Sequence, residues 1–225
     1  MPTSTVEDYL KSILRLTQDA DGIATVGGIA AELGVTPGTV SSMMRHLSDQ
    51  NLIDYVPRKS VTLLPEGRQQ ALLVVRRHRL IESFLVEIMR FDWSEVHEEA
   101  EVLEHVVSDR LLQRMDDILG HPSHDPHGDP IPDASGNLEQ EDTHSLAEAN
   151  VGPTYRIVRV QDSDPNFLDW LRENGLLPGC EIKLASRDAM AGVTEVIGPP
   201  PEHRTTRLGD SAATGVLVVP VRNAT

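Results

Sequence analysis

The chain has 225 residues, a formal charge of −15 and one cysteine, which excludes a disulfide framework and zinc sites built from several thiolates. Met1-Pro2-Thr3-Ser4-Thr5 lacks the basic-then-apolar layout of a secretion signal, and no apolar run approaches the roughly 18 residues of a membrane span, so a cytoplasmic protein with no membrane partner is expected. Residues 71–150 carry −12 of the charge, against −2 for 1–70 and −1 for 151–225, so the acidity does not exclude a DNA-binding surface at either end.

A helix is predicted over 6–18, with Thr5 as N-cap and an apolar stripe of Val6, Tyr9, Leu10, Ile13, Leu14 and Leu16, broken by Asp19-Ala20-Asp21-Gly22. A short helix over 26–33 ends at Gly34, and a second over roughly 37–51 follows the turn at 35–39. Val40, Met43, Met44 and Leu47 recur there at helical spacing, which makes the methionines core filling. Runs 53–56 and 61–64 read as a hairpin around Pro57-Arg58-Lys59-Ser60, and Pro65-Glu66-Gly67 opens a helix to about 90. One helix is expected over 94–119, ended by Gly120 and Pro122, then an irregular connector over 121–137 rich in Pro, Gly, His and Asp. The last third turns to β-prone runs at 155–160, 181–185, 193–197 and 215–221, with a helix over 165–174. The fold class is α+β: a helical head with a wing, a helical body and a small β-barrel.

Residues 29–41 have a helix-turn-helix layout, in which Ala30 permits close approach, Gly34 the turn, and Val35 and Val40 pin the second helix. Thr36, Pro37, Gly38, Thr39, Ser41 and Ser42 open that helix with short side chains suited to phosphates and thymine methyls, and Arg45 follows. Arg58, Lys59 and Ser60 at the hairpin tip would meet a phosphate backbone. Double-stranded DNA is therefore the expected partner.

A metal site is expected further on. On one helix, His97, Glu101, Glu104 and His105 fall on one face at offsets 0, +4, +7 and +8, a stripe that repels itself without cations. His78 and Glu82 stack on the preceding helix, and antiparallel packing would bring the six together. Imidazole and carboxylate without thiolate suits Mn²⁺ or Fe²⁺ better than a structural zinc site. The sequence is neither HExxH nor a paired Glu-x-x-His bundle. The connector histidines His121, His124 and His127 read as linker.

The helix-turn-helix, His78-Arg79-Leu80-Ile81-Glu82, the run from Val96 to Asp109 and Gly128-Asp129-Pro130-Ile131-Pro132 together resemble the diphtheria-toxin-repressor family of metal-activated transcription regulators. Phe167-Leu168 through Gly175-Leu176 to Pro178-Gly179 is similar to the SH3-like domain of its three-domain members and of a ferrous-transport accessory protein. The resemblance implies a winged helix-turn-helix domain over 1–72, a metal-binding and dimerisation domain over 73–140, a linker over 141–152 and an SH3-like domain over 153–225. It also implies a homodimer on a palindromic operator. A first metal site would use Asp8, Glu101, Glu104 and His105, where iron-type members place Met and Cys at the first two positions; this favours Mn²⁺, with Fe²⁺ as the alternative. A second would use His78, Glu82 and His97, completed from Asp162-Ser163-Asp164-Pro165-Asn166, with Asp164 as the candidate. Two-domain manganese regulators carry Glu where this chain has Lys11, so a paired-metal cluster is not implied. Two rival classes are a metal-dependent enzyme using Glu98 or Glu99 as base and a metal-buffering protein. No nucleophile, phosphate loop or small-molecule substrate motif supports the enzyme.

Overall fold

The computed structural model describes residues 3–18, 23–138, 142–161, 164–199, 201 and 203–221. The chain divides into two compact units. The first is Met1–His78, Leu103–Asp109 and Ile131–Glu139; the second is Arg79–Val102, Arg110–Pro130 and Gln140–Thr225.

In the first unit, α1 (Ser4–Gln18) buries Val6, Tyr9, Leu10, Ile13 and Leu14 against Ile29, Val40, Met44, Leu47, Ile53 and Val61. Thr25 caps α2 (Val26–Glu32) by accepting the Gly28 N–H at 3.0 Å, and Thr36 caps α3 (Pro37–Asp49) by accepting the Thr39 N–H at 3.2 Å. Gly34, at φ +63°, reverses the chain between the two helices. Strands β1 (Ile53–Tyr55) and β2 (Val61–Leu63) pair antiparallel with Ile53 opposite Leu63. Their turn closes with the Lys59 N–H donating to the Val56 carbonyl at 3.0 Å, Pro57 second and Arg58 third at φ +65°. That third place ordinarily takes Gly or Asn.

After β2 the chain enters α4 (Pro65–Glu87). The helix expected over 94–119 is two: α5 (Val96–Leu103) and α6 (Asp109–Leu119). At Leu103 the carbonyl receives the N–H groups of Val106 (3.0 Å) and Val107 (2.9 Å), and Glu104 turns into a fully buried position. A buried charged contact outweighs the helical propensity of the run. His97, Glu101, Glu104 and His105 therefore do not form one helical stripe.

The second unit carries a six-stranded antiparallel sheet in the order β3-β8-β4-β5-β6-β7. The strands are β3 (His144–Ser145), β4 (Thr154–Val160), β5 (Glu181–Asp188), β6 (Val193–Ile197), β7 (Thr205–Gly209) and β8 (Val216–Pro220). Register shifts at Ile157/Arg159 and Leu184/Ser186 bend β4 and β5. Helix α7 (Pro165–Glu173) adds Leu168 and Leu171 to the sheet's core, and α8 (Asp210–Gly215) adds Ala213. β3, β7 and α8 were not expected: β7 buries only Thr206 and Leu208, and the other two are too short for a periodicity to show. Among the described residues, no helix is long and apolar enough to cross a membrane.

Gly67, in the first turn of α4, lies so close to β1 that a Cβ there would sit 2.0 Å from the Leu52 carbonyl oxygen, which already accepts the Leu64 N–H at 2.9 Å. Gly67→Ala is expected to destabilise the first unit by about 2–3 kcal/mol, measured by chemical denaturation, while Gly27→Ala, which meets only the Thr25 hydroxyl at 4.0 Å, is not.

Candidate metal centres and nucleic-acid interface

The DNA-facing residues predicted from sequence lie on the first unit. Thr36, Pro37, Gly38, Thr39, Ser42, Arg45, Arg58, Lys59 and Ser60 are exposed and Ser41 is half-buried. Thr36 and Thr39 share a hydroxyl hydrogen bond at 2.9 Å, and the Ser41 hydroxyl donates to the Pro37 carbonyl at 2.8 Å. Part of the hydroxyl capacity at the helix start is thus spent on capping. A groove of about 490 Å³ runs between α3 and the hairpin, lined by Thr25, Ser41, Arg45, Tyr55, Arg58 and Lys59 among others. Three cations on its walls, with no carboxylate among its lining residues, suit a polyanion.

Also in the first unit, Asp8, Glu104 and His105 converge, each offering a donor atom within 4.8 Å of the others. His105 Nε2 lies 2.9 Å from Asp8 Oδ1 and 3.5 Å from Glu104 Oε1. On its other side, His105 Nδ1–H donates to Glu7 Oε2 at 2.9 Å, and Arg77 donates to Glu7 Oε1 at 3.1 Å. A carboxylate that holds one imidazole nitrogen as donor presents the other as a ligand. An imidazole nitrogen and a carboxylate oxygen 2.9 Å apart also need a proton or a cation between them. Glu104 is fully buried, while the Asp8 side chain is 39% exposed and opens the site to solvent. Lys11 donates to both Glu104 oxygens at 2.9 and 2.8 Å, and the buried His78 Nδ1–H donates to Glu104 Oε2 at 2.6 Å. The carboxylate cluster therefore has a resident cation and does not simply repel itself.

The second unit holds a centre that the sequence reading did not assign. Glu82, Asp125 and His127 are all buried and bring donor atoms within 4.8 Å of one another. His127 Nε2–H donates to the Trp93 carbonyl at 2.8 Å, its ring stacks on the Trp93 indole with centroids 5.3 Å apart, and Nδ1 faces Glu82 Oε2 at 3.9 Å. Asp125 Oδ1 accepts the N–H groups of His127 and Asp129, both at 2.9 Å, which folds the connector into a loop closed by the His124–Pro130 bridge. Arg79 donates to the Pro130 carbonyl (2.6 Å) and Asp129 (3.1 Å) and lies 3.6 Å from Asp125 Oδ2. Gly128, at φ +85°, seats this loop on β4, where a Cβ would fall 1.9 Å from the Val158 carbonyl oxygen. Burial, reinforced by the negative charges of Asp129 and Glu82, pushes the Asp125 carboxyl well above its ordinary range, with Arg79 opposing. A buried set of two carboxylates and an imidazole nitrogen matches the donors of a hard divalent cation.

The predicted ligands divide between the units. Asp8, Glu104 and His105 come together as expected, whereas Glu101 belongs to the second unit, on α5, with His97 Nε2 at 3.6 Å. Glu82 and His97 meet at 3.3 Å in the second unit, and His78, in the first unit, hydrogen-bonds to Glu104. Asp164 is the N-cap of α7, accepting the Asn166 backbone and side-chain N–H groups at 2.9 and 3.1 Å; Asp162 and Ser163 lie outside the described residues. The connector is irregular as expected, but His127 is not linker: it is buried and held at Nε2 by the Trp93 carbonyl. His121 pairs instead with Asp116 at 3.2 Å, and His124 with the Ser123 hydroxyl at 2.9 Å. Glu7, Asp125 and Arg79 were missed. Asp125 carried a weak signal, as an Asp two residues before a His and four before a second Asp.

A winged helical head with a cationic groove, joined in one chain to two carboxylate–imidazole centres, defines a metal-dependent DNA-binding regulator. Comparison with known proteins agrees. Residues 1–61 match the N-terminal DNA-binding domain of iron-dependent repressors, 64–133 their metal-binding and dimerisation domain, and 144–220 the FeoA domain. The chain is 36% identical over 201 residues to the diphtheria toxin repressor of Corynebacterium efficiens, covering 84% of this chain and 86% of that one. It is 30% identical over 218 residues to the iron-dependent repressor IdeR of Mycobacterium leprae, covering 89% and 91%. Among solved structures, a manganese-dependent transcriptional repressor in complex with manganese superposes with a TM-score of 0.90 at 38% identity, covering 96% of this chain and all of that one. ScaR with bound Zn²⁺ superposes at 0.79 and 32%, covering 96% and 99%. The chain belongs to the diphtheria toxin repressor family of metal-dependent, DNA-binding transcriptional repressors, with a C-terminal SH3-like FeoA domain.

Because Asp125 binds its proton more tightly folded than unfolded, folding takes up a proton between pH 3.8 and its raised value, and stability falls as pH rises through that window. Asparagine keeps the acceptor for both loop N–H groups without the charge. In EDTA, Asp125→Asn is expected to raise the thermal midpoint by roughly 2–4 °C, about what 1 kcal/mol is worth in a chain of this size, with the gain growing from pH 4 upward. Added Mn²⁺ should stabilise the wild type more than this variant. Thermal unfolding against pH, with and without the ion, reads both.

Proposed function

We propose that this repressor is a cytoplasmic homodimer activated by Mn²⁺ that represses metal-homeostasis genes from palindromic operators. The observation that carries the choice of metal is the donor set. Asp8, Glu104 and His105 in one centre, and Glu82, Asp125 and His127 in the other, offer only carboxylate oxygen and imidazole nitrogen, without a sulfur atom. Hard donors of this kind suit Mn²⁺, and the manganese complex of the solved relative supports the reading. A bound ion would join Asp8 on α1 to the turn carrying Glu104 and His105. Because α1 packs on the core beneath α2 and α3, its position governs that of the DNA-reading helix. Such coupling is reciprocal, commonly about 1–3 kcal/mol, so operator DNA tightens metal binding by the factor by which metal tightens DNA binding. Val102 and Ile118 of the second unit and Val106 of the first are exposed apolar residues within the region matched to the dimerisation domain, and each would gain from burial against a second copy. Two heads place half-sites about one helical turn apart or a multiple of it.

Fe²⁺ is the second reading, favoured by the iron-dependent repressors among the relatives. A mobility-shift assay on the duplex upstream of the chain's own coding sequence, with Mn²⁺, Fe²⁺, Zn²⁺ or EDTA, tests the function. A shift with Mn²⁺ and none with EDTA is expected, and metal-independent or absent binding refutes the proposal. Asp8→Met is expected to weaken Mn²⁺ activation at least tenfold while Fe²⁺ activation changes less; equal losses for both ions would remove Asp8 as a selectivity ligand. Arg58→Ala and Lys59→Ala should weaken binding to operator and non-operator duplexes alike and lower the slope of log K against log salt by about one each, as phosphate contacts do. Asp164→Ala tests that residue in the second centre: an unchanged Mn²⁺ stoichiometry and affinity would leave it a helix cap alone.

A further inference from the structure

Lys11 and Asp8 lie three residues apart on one face of α1, yet they treat the buried centre in opposite ways. The ammonium of Lys11 lies against both oxygens of Glu104, at 2.9 and 2.8 Å, and 3.3 Å from His78 Nδ1, the atom that donates to the same carboxylate. Glu104 has no exposure to solvent, whereas the Lys11 side chain is 19% exposed. The carboxylate is therefore fixed and the cation reaches it from the edge of the site on a flexible four-carbon stem. Lys11 contacts Glu104 while Asp8 Oδ1 contacts His105, so Glu104 is claimed by the lysine and by the candidate metal cluster at once.

We propose that Lys11 is a tethered counter-cation, and that a divalent ion enters the centre of Asp8, Glu104 and His105 by exchanging with its ammonium at Glu104. The inference rests on the reading of that cluster as a metal centre and adds the cost of entry. In the metal-free protein, Lys11 already satisfies Glu104 and holds α1 to the turn at 103–109. Metal binding is then a replacement of one cation by another at a preformed contact, with no carboxylate pair to pull together from repulsion. The ammonium is a competitor built into the chain, so it lowers metal affinity, and it confines Glu104 to a single added ion. A monovalent point charge also screens the centre against weakly held divalent ions, since only an ion that gains more from Asp8, Glu104 and His105 together than the ammonium gains from Glu104 displaces it.

The test is a Mn²⁺ affinity measurement on the full chain by chelator competition, started from Mn²⁺-loaded protein, together with thermal unfolding in EDTA and in Mn²⁺. Lys11→Met removes the competing charge. It is expected to bind Mn²⁺ at this centre at least tenfold more tightly than wild type, to melt lower in EDTA because Glu104 keeps only the His78 hydrogen bond and loses the ammonium, and to melt near wild type when loaded. Lys11→Arg keeps a cation and should stay within a few-fold of wild-type affinity. A scaffold role for Lys11 would instead lower the affinity of Lys11→Met and its midpoint in both conditions, and that result overturns the inference. His105→Ala separates the two levels of the claim. If it abolishes one Mn²⁺ binding event while Lys11→Met leaves that event unchanged, the metal centre stands and the exchange does not. If it removes no binding event, the metal reading of the cluster fails and the exchange fails with it.

Discussion

Among the carboxylates withdrawn from water, Glu104, Glu82 and Asp125 set the conditions under which much of the chain is arranged. A buried carboxylate without a positive partner is among the costliest groups a fold can hold, so each draws a cation or an imidazole to itself and fixes whatever element carries it. Glu104 draws Lys11 and His78, which ties α1 to the turn after α5. Asp125 and its neighbour Asp129 draw Arg79, which ties the connector loop to α4. Regions without apolar periodicity are thereby made rigid by charge. The same feature leaves each cluster ready for a divalent ion, since the oxygens are gathered before any ion arrives.

The two centres solve the orientation of imidazole in mirror-image fashion. His105 is held at Nδ1 by the Glu7 carboxylate and presents Nε2; His127 is held at Nε2 by the Trp93 carbonyl and presents Nδ1. The first imidazole is thus oriented by a charged acceptor and the second by a neutral one. Its Asp8 edge is open, whereas the residues of the second are all buried. The first cluster is therefore reachable from solvent at Asp8, while the second is closed off by its own burial.

How much of this was legible in the sequence depended on which force shaped each element. Helix α1 follows from apolar spacing but starts at Ser4, so Thr5 lies inside it and Thr3 accepts the Val6 N–H in place of the expected Thr5 cap. The helix-turn-helix and the hairpin follow from spacing and turn residues, and Thr25, Gly34, Thr36 and Pro37 act in the structure as the rules for those residue types require. Glu104 and His105 were legible as candidate ligands because metal-binding residue types cluster in that run, whereas Asp8, far away in the sequence, was reached only through the family resemblance. The break after Leu103 was not, since every residue from Val96 to Val107 tolerates a helix and only the burial of Glu104 against Lys11, more than ninety positions earlier, ends it. Asp125 and His127 were obscured by the Pro, Gly and Asp around them, a composition that reads as loose connector. The information that orders that loop lies in Arg79 and in the close approach of Gly128 to β4, both distant in sequence. β7 was hidden because its inward face carries a threonine and a single leucine.

The stacking of Trp93 on His127 gives the buried second centre an optical handle of its own. The chain has two tryptophans, and Trp170 stacks instead on Phe167 in another part of the same unit. Indole emission is sensitive to charge on a ring lying against its face, so a change of state at His127 is written into the fluorescence of Trp93 while Trp170 serves as an internal reference. Replacing Trp170 with phenylalanine would leave a single-tryptophan protein whose indole colour and lifetime, excited beyond the tyrosine band, report on one buried locus in real time, with no label attached.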